Sequence, residues 1–218
     1  MKKFVGIIAL FCMLIVNPVF AAENNMSDKK TTKWFVGAGY LKSDADTGIG
    51  SLTGTASLDE EDNGFKIFAG YQLNPYVGFE IAYADLGTVS LTGNTGDTFV
   101  LDGTSYSFLA DDVTLDVETW TIDLGATFSL PLDKATGKEY MKYLTPFAKI
   151  GGFYWDQDAS ATGSGLNRTT TSEDGFDIYF GGGLSINIHK NFAITGEWLR
   201  YNGDDDIDTY GVNLVIKF

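Results

Sequence analysis

The sequence predicts an all-β chain, an eight-stranded antiparallel up-and-down transmembrane β-barrel. Three independent observations lead there. Long and short connections alternate between the predicted strands, long after the first, third and fifth and short mainly after the second and sixth. Apolar faces carry aromatic rings near their ends, among them Trp34, Tyr40, Tyr71, Phe79, Tyr83, Trp120, Phe128, Trp198 and Tyr210. The last strand steps by twos through Tyr210, Val212, Leu214, Ile216 and Phe218. Membrane barrels put short turns on one side, long loops on the other, and aromatic girdles at two levels of a lipid-facing surface. A soluble barrel has no reason to do either.

In chain order, Met1-Lys2-Lys3 opens a short apolar run that ends in Asn17-Pro18-Val19-Phe20-Ala21-Ala22. A spanning helix needs roughly 20 apolar residues, so the run reads instead as a signal peptide over residues 1–21. Val19 and Ala21 fill the small-residue subsites, and Ala22 starts the mature chain. The single cysteine, Cys12, falls in the removed segment, which leaves neither disulfide nor thiol chemistry. Residues 22–33 read as a polar leader in the periplasm, and residues 34–218 as one barrel domain.

Trp34, Val36, Ala38 and Tyr40 open the first strand against Phe35, Gly37, Gly39 and Leu41, and a Gly/Ser/Thr/Asp-rich loop over residues 43–63 follows. The second and third strands form a hairpin about Asn74-Pro75, where proline cannot continue a ladder. Its apolar parity holds Phe65, Ile67, Val77, Phe79 and Ile81, and its other parity holds Lys66 and Glu80. Residues 88–112 read as a second loop, and the fourth strand descends through Trp120, Ile122, Leu124, Ala126 and Phe128. Residues 113–119 alternate on the opposite parity, which a bulge or a strand end projecting above the membrane explains. A turn over residues 131–142, a fifth strand from Tyr143, a loop over residues 157–174, and strands six to eight complete the set.

One stretch adds a family resemblance. Gly70-Tyr71-Gln72-Leu73-Asn74-Pro75-Tyr76-Val77-Gly78-Phe79-Glu80 resembles the second periplasmic turn region of the OmpA transmembrane-barrel family, with weaker similarity from Trp34 to Phe218. The resemblance implies a bacterial outer-membrane protein whose N-terminus is periplasmic and whose terminal strand, Tyr210 to Phe218, is read by the barrel assembly machinery. It covers the barrel alone, so the family's peptidoglycan anchoring is not implied.

Residues on the polar parities form the candidate site. Lys66, Glu80, Asp123, Lys149 and Glu197 face inward in this register, as an ionic network in a lumen just wide enough for side chains to fill. Glu80 and Glu197 match acidic members of the family's lumen network and Lys149 replaces a basic one; Asp123, Thr195 and Ser185 depart from it.

A net charge of −14, more negative once Lys2 and Lys3 are removed, makes nucleic acid a poor partner. The external loops carry the acids: Asp44, Asp46, Asp59, Glu60, Glu61 and Asp62, then Asp97, Asp102, Asp111 and Asp112, then Asp158, Glu173 and Asp174, then Asp204, Asp205, Asp206 and Asp208. Carboxylates suit Ca²⁺ or Mg²⁺, which would bridge them weakly to lipopolysaccharide, but no cluster has a defined ligand spacing and no cofactor is expected. The sole histidine, His189, sits at a short turn and supports no catalysis. The sequence therefore predicts a monomeric, non-enzymatic surface protein whose mobile acidic loops meet lipopolysaccharide, host surfaces or phage. A narrow, low-conductance channel is the alternative.

Overall fold

The computed structural model describes residues 33–101, 103–165, 168–203 and 206–218. The expected signal peptide, residues 22–32 of the leader, Asp102, Asp204 and Asp205 lie outside the described residues. Twelve strands follow in chain order: β1 (Trp34–Asp46), β2 (Ile49–Gly50), β3 (Ser57–Asp59), β4 (Glu61–Asn74), β5 (Val77–Gly93), β6 (Thr98–Leu101), β7 (Thr104–Ser107), β8 (Val113–Ser129), β9 (Leu144–Thr162), β10 (Thr169–His189), β11 (Phe192–Asn202) and β12 (Asp206–Lys217). Eight of them, β1, β4, β5, β8, β9, β10, β11 and β12, pair antiparallel in that order, and β12 returns to β1. Trp34 and Phe218 exchange backbone hydrogen bonds of 3.2 and 2.9 Å at the seam. The sheet has no edge, as a backbone in hydrocarbon requires.

Which face looks inward is settled by neighbouring residues of opposite character. Ile67, Ile81 and Ile150 are 51%, 44% and 54% exposed, whereas Lys66, Glu80 and Lys149 are 1%, 5% and 7% exposed. A water-soluble barrel would invert this, because it must bury its apolar residues. Aromatic rings mark two levels on the outer face. Phe65, Tyr83, Trp120 and Tyr154 touch in sequence, each pair of centroids 5.9 Å apart, across β4, β5, β8 and β9. Nearer the short turns, Trp34 packs edge-on against Tyr71 at 4.8 Å. Such belts sit where hydrocarbon meets headgroups.

The parity slip at residues 113–119 has a specific origin. β8 carries no bulge there; the extra residue is Leu86 of β5, where pairing passes from Asp85↔Trp120 to Gly87↔Thr119. Gly87, with φ of 85°, takes the left-handed turn that a side chain disfavours. Along β8, Val113, Leu115, Thr119, Thr121 and Asp123 share one parity, and Val113, Thr119, Thr121 and Asp123 are buried. The chain is constant and the surroundings change. Below the upper ring belt the outer face meets lipid; above it water lies outside, and the inward residues cover an apolar core.

That core belongs to a packed cap, a correction to the expectation of mobile loops. Leu91, Phe108 and Val113 are buried together, with Ile49, Leu58, Phe99 and Leu115 against them. β3 pairs with the upper end of β5, and β2, β6 and β7 form a small sheet. Asp97 pins the first connection to the second: its carboxylate accepts from the Thr55 hydroxyl at 2.6 Å and from Asn94 N–H at 3.0 Å. Asn94 also donates to Thr55 at 2.8 Å and accepts from Asp112 N–H at 2.9 Å.

The strands also outrun the expected loops. β1 continues to Asp46, β4 starts at Glu61, β5 reaches Gly93, and β9 and β10 leave only residues 163–168 between them. Residues 169–174 of β10 are exposed on both faces, so their Thr/Ser-rich stretch carries no alternation to read. On the opposite side, the turn expected over residues 131–142 contains a helical turn α1 (Leu132–Thr136) and a 3-10 turn (Glu139–Tyr143).

The hydrogen bonds from Thr55 and Asn94 hold the Asp97 carboxyl below its usual range. A carboxyl depressed in the folded state stabilises above its unfolded value, about 4, and that stabilisation is lost as pH falls through the folded value. Limited proteolysis of the cap is therefore expected to be unchanged from neutral pH to about 5 and to accelerate in stronger acid, where the carboxyl protonates. Asp97→Ala should expose cleavage sites in residues 47–60 and 94–112 at neutral pH while the barrel band stays intact; equal cleavage of both proteins would refute the role of Asp97.

Candidate functional site

Four strands deliver four charges to the middle of the barrel. Lys66 comes from β4, Glu80 from β5, Lys149 from β9 and Glu197 from β11, each at an inward position of its strand. Their side chains close a ring of alternating sign. Lys66 Nζ lies 3.1 Å from Glu80 Oε1 and 3.1 Å from Glu197 Oε1. Lys149 Nζ lies 2.8 Å from Glu80 Oε1 and 2.8 Å from Glu197 Oε2. The long lysine stems let opposite walls be tied together without a residue at the axis. The ring is neutral as a whole, which is the condition under which buried charge is tolerable.

The surroundings complete the pairing. Asn213 donates to Glu197 Oε1 at 3.1 Å. Both ammonium groups lie over the Phe68 ring, Lys66 at 5.3 Å and Lys149 at 5.4 Å from its centroid. Phe68 fits because Gly37 faces it; a Cβ there would stand 2.2 Å from the ring. Phe68 joins Ala82, Ala193 and Val215, with Phe35 against them, in an apolar cluster beside the charged ring.

Asp123 does not join this ring, a correction to the expected five-membered network. Its carboxylate accepts from the Thr121 hydroxyl at 2.8 Å and the Tyr201 hydroxyl at 2.8 Å, and no ammonium or guanidinium among the described residues lies within ion-pair distance. Tyr201 stacks on Tyr179 at 5.6 Å and meets Phe153 edge-on at 5.0 Å. Tyr179 in turn lies across Gly125 and Gly151, where added Cβ atoms would meet its ring and hydroxyl within 2.7 Å. These rings, with Leu41, Leu199, Trp155 and Ile207, make a second apolar cluster on the side of the cap. The charged ring is thus bracketed by apolar layers. Thr121, Tyr201, Asn213 and Phe68 escape a search for charges; their signal was position on the inward parity.

The remaining candidates are scattered. Tyr210, Val212, Leu214 and Ile216 of β12, and Phe218 directly after it, stand exposed. Several acids accept backbone N–H groups: Glu60 from Thr47 N–H at 3.2 Å, Asp62 from Thr88 N–H at 2.8 Å, and Asp111 from Thr95 N–H at 3.1 Å. Among the described residues no group of three or more acidic, histidine or cysteine side chains could hold a metal ion. His189 ends β10, where its Nδ1 accepts from Asn191 N–H at 3.4 Å.

Residues 9–218 match the outer membrane protein beta-barrel domain family. The chain is similar to outer membrane protein A of Salmonella typhi, 29% identical over 193 residues that cover 88% of this chain and 47% of that protein. Outer membrane protein A of Escherichia coli O157:H7 is 30% identical over 88% of this chain and 46% of its own length. The chain spans about half the length of these relatives. In structure it resembles OprG of Pseudomonas aeruginosa, with a TM-score of 0.53, 10% identity and coverage of 89% of this chain and 99% of that one. It also resembles Ail, the attachment invasion locus protein of Yersinia pestis, in complex with the heparin analogue sucrose octasulfate: TM-score 0.52, 16% identity, 85% and 98% coverage.

Removing one member of the ring leaves its partners charged and dry. Lys149→Ala is expected to lower barrel stability by roughly 3–5 kcal/mol, measured by urea unfolding in lipid vesicles. Adding Glu80→Ala should restore part of that loss, because the orphaned charge goes with it. Strictly additive losses would show that the two residues do not act as a pair.

Proposed function

This chain belongs to the outer membrane protein beta-barrel family, and from that premise we propose that it acts at the bacterial surface as an interaction and envelope-structural protein. It is an outer-membrane barrel. Its short turns, with Trp34 and Phe218, face the periplasm and the packed acidic cap faces outward, the orientation in which barrels of this class place short turns and long connections. The carrying observation is where order and charge are invested. The lumen is filled by a neutral ion ring between apolar layers, while the far end is built into a cap with its own core.

The chemistry of the cap narrows the contact. Residues 43–65 and 86–118 contain no lysine or arginine and twelve aspartates or glutamates counting residue 102, so a cationic partner surface fits it. A polyanion such as the heparin analogue held by the Yersinia protein does not. Adhesion to a host surface, phage attachment and bridging to lipopolysaccharide through divalent cations are the outlets of such a surface. The buried lysine–glutamate pairs favour the second reading, a narrow channel whose ions pass when the pairs exchange. The aromatic layers on both sides of the ring weigh against it. The buried carboxylates Glu80, Asp123 and Glu197 are each occupied by ammonium, hydroxyl or amide donors.

Two measurements separate the readings. In planar bilayers the refolded chain is expected to show no steady conductance; a stable open level in the wild type, lost in Lys149→Ala, would favour the channel. Cells carrying a variant with residues 47–60 and 94–112 replaced by short turns should lose binding to positively charged surfaces while keeping normal amounts of barrel. Retained binding would refute the cap as the contact surface.

A further inference from the structure

We infer that the short-turn end carries a surface for the phosphate headgroups of anionic phospholipids, built by the 130–143 connection and the adjacent 74–76 turn. The inference rests on the orientation proposed above, in which this end meets the periplasmic leaflet. Three lysines there each stand over a tyrosine ring: Lys134 over Tyr76 at 5.8 Å, Lys138 over Tyr140 at 5.9 Å and Lys142 over Tyr143 at 5.4 Å. The rings are open to the surroundings, with Tyr140 67% exposed. An ammonium seated on a ring face keeps donors directed away from the ring, and each tyrosine adds a hydroxyl. Ring, ammonium and hydroxyl together match a headgroup, in which a phosphate lies beside glycerol and the first acyl carbons.

Position and charge agree with that ligand. The lipid-facing apolar surface of β8 ends at the exposed Phe128 and Leu130, immediately before α1. Ser129 N–H donates to Tyr76 O at 2.7 Å, which joins the two turns at the hydrocarbon border. The lysines are held on hydrogen-bonded turns: Gly137 N–H donates to Asp133 O at 2.8 Å and Met141 N–H to Lys138 O at 3.0 Å. Among the described residues this end also bears Lys33 and Lys190, against the side-chain acids Asp133 and Glu139 alone. Glu139 lies 3.3 Å from Lys142, but both groups are exposed and water-screened, so the lysine is available to a competing phosphate. Peptidoglycan is anionic too, yet it offers nothing to exposed rings at the edge of hydrocarbon.

The full chain refolded into phosphatidylcholine vesicles with a minor fraction of spin-labelled phosphatidylglycerol tests this. The wild type should enrich phosphatidylglycerol over labelled phosphatidylcholine at its surface by roughly fivefold or more, and the preference should shrink as salt rises. Lys134→Gln/Lys138→Gln/Lys142→Gln should bring the ratio near one, and Glu139→Gln should raise it. Tyr140→Leu, which keeps every charge, should lower it partially. No enrichment in the wild type, full enrichment in the triple variant, displacement by inorganic phosphate alone, or a triple variant that loses only sedimentation with peptidoglycan would each overturn the inference. Orientation is read separately: Thr136→Cys should resist a membrane-impermeant maleimide in intact cells. Labelling from outside would sink the orientation while leaving the vesicle result to judge the lipid surface.

Discussion

Two ammonium groups and two carboxylates that cannot reach water set the terms for the rest of this molecule. Lys66, Glu80, Lys149 and Glu197 come from four strands spaced around the barrel, and none is tolerable in a dry interior without the others. Their closure into a neutral ring fixes which parity of each strand looks inward. Once that parity is fixed, Ile67, Ile81 and Ile150 must look outward, and only hydrocarbon accepts a surface so apolar over its whole girth. The charged interior and the lipid face are two consequences of one register. Asp123 lies outside the ring, its two oxygens accepting from the Thr121 and Tyr201 hydroxyls.

The second organising feature is a change of solvent partway along the strands. At the belt of Phe65, Tyr83, Trp120 and Tyr154 the outer surroundings pass from lipid to water, and the same inward parity passes from charged to apolar. Leu86 bulges β5 at this level, and above it Leu91 and Val113 turn inward to meet Phe108. The barrel therefore has two kinds of interior stacked end to end: one inside the membrane that holds the charged ring between apolar clusters, and a wholly apolar one in the cap above it. The upper one exists because two long connections fold onto each other, tied through Asp97 and Asn94.

Charge is divided between the ends as well. The cap side carries acids, many of them committed to backbone donors, while lysines gather with tyrosines at the short turns. The two ends thus offer opposite chemistries to whatever lies on either side of the membrane. A lumen occupied by the ion ring and its apolar neighbours supports the proposed reading, contact rather than passage.

Alternation of side chains alone determined the barrel: period-2 segments from Trp34 to Phe218, short turns at Asn74-Pro75 and at residues 190–191, and rings near the strand ends identify eight strands and their lipid faces. Inward parity alone also singled out Lys66, Glu80, Lys149 and Glu197, because a charge on a membrane strand has nowhere else to go. Only the tertiary structure decided who pairs with whom. Strand tilt and lysine length bring residues from β4, β5, β9 and β11 to one level and leave Asp123 to Tyr201, a relation that spans 78 positions of sequence. Only the structure, too, turned the loops into a cap. Residues with water on both faces pair through backbone hydrogen bonds, which every sequence can make, and so leave no periodic trace in the side chains.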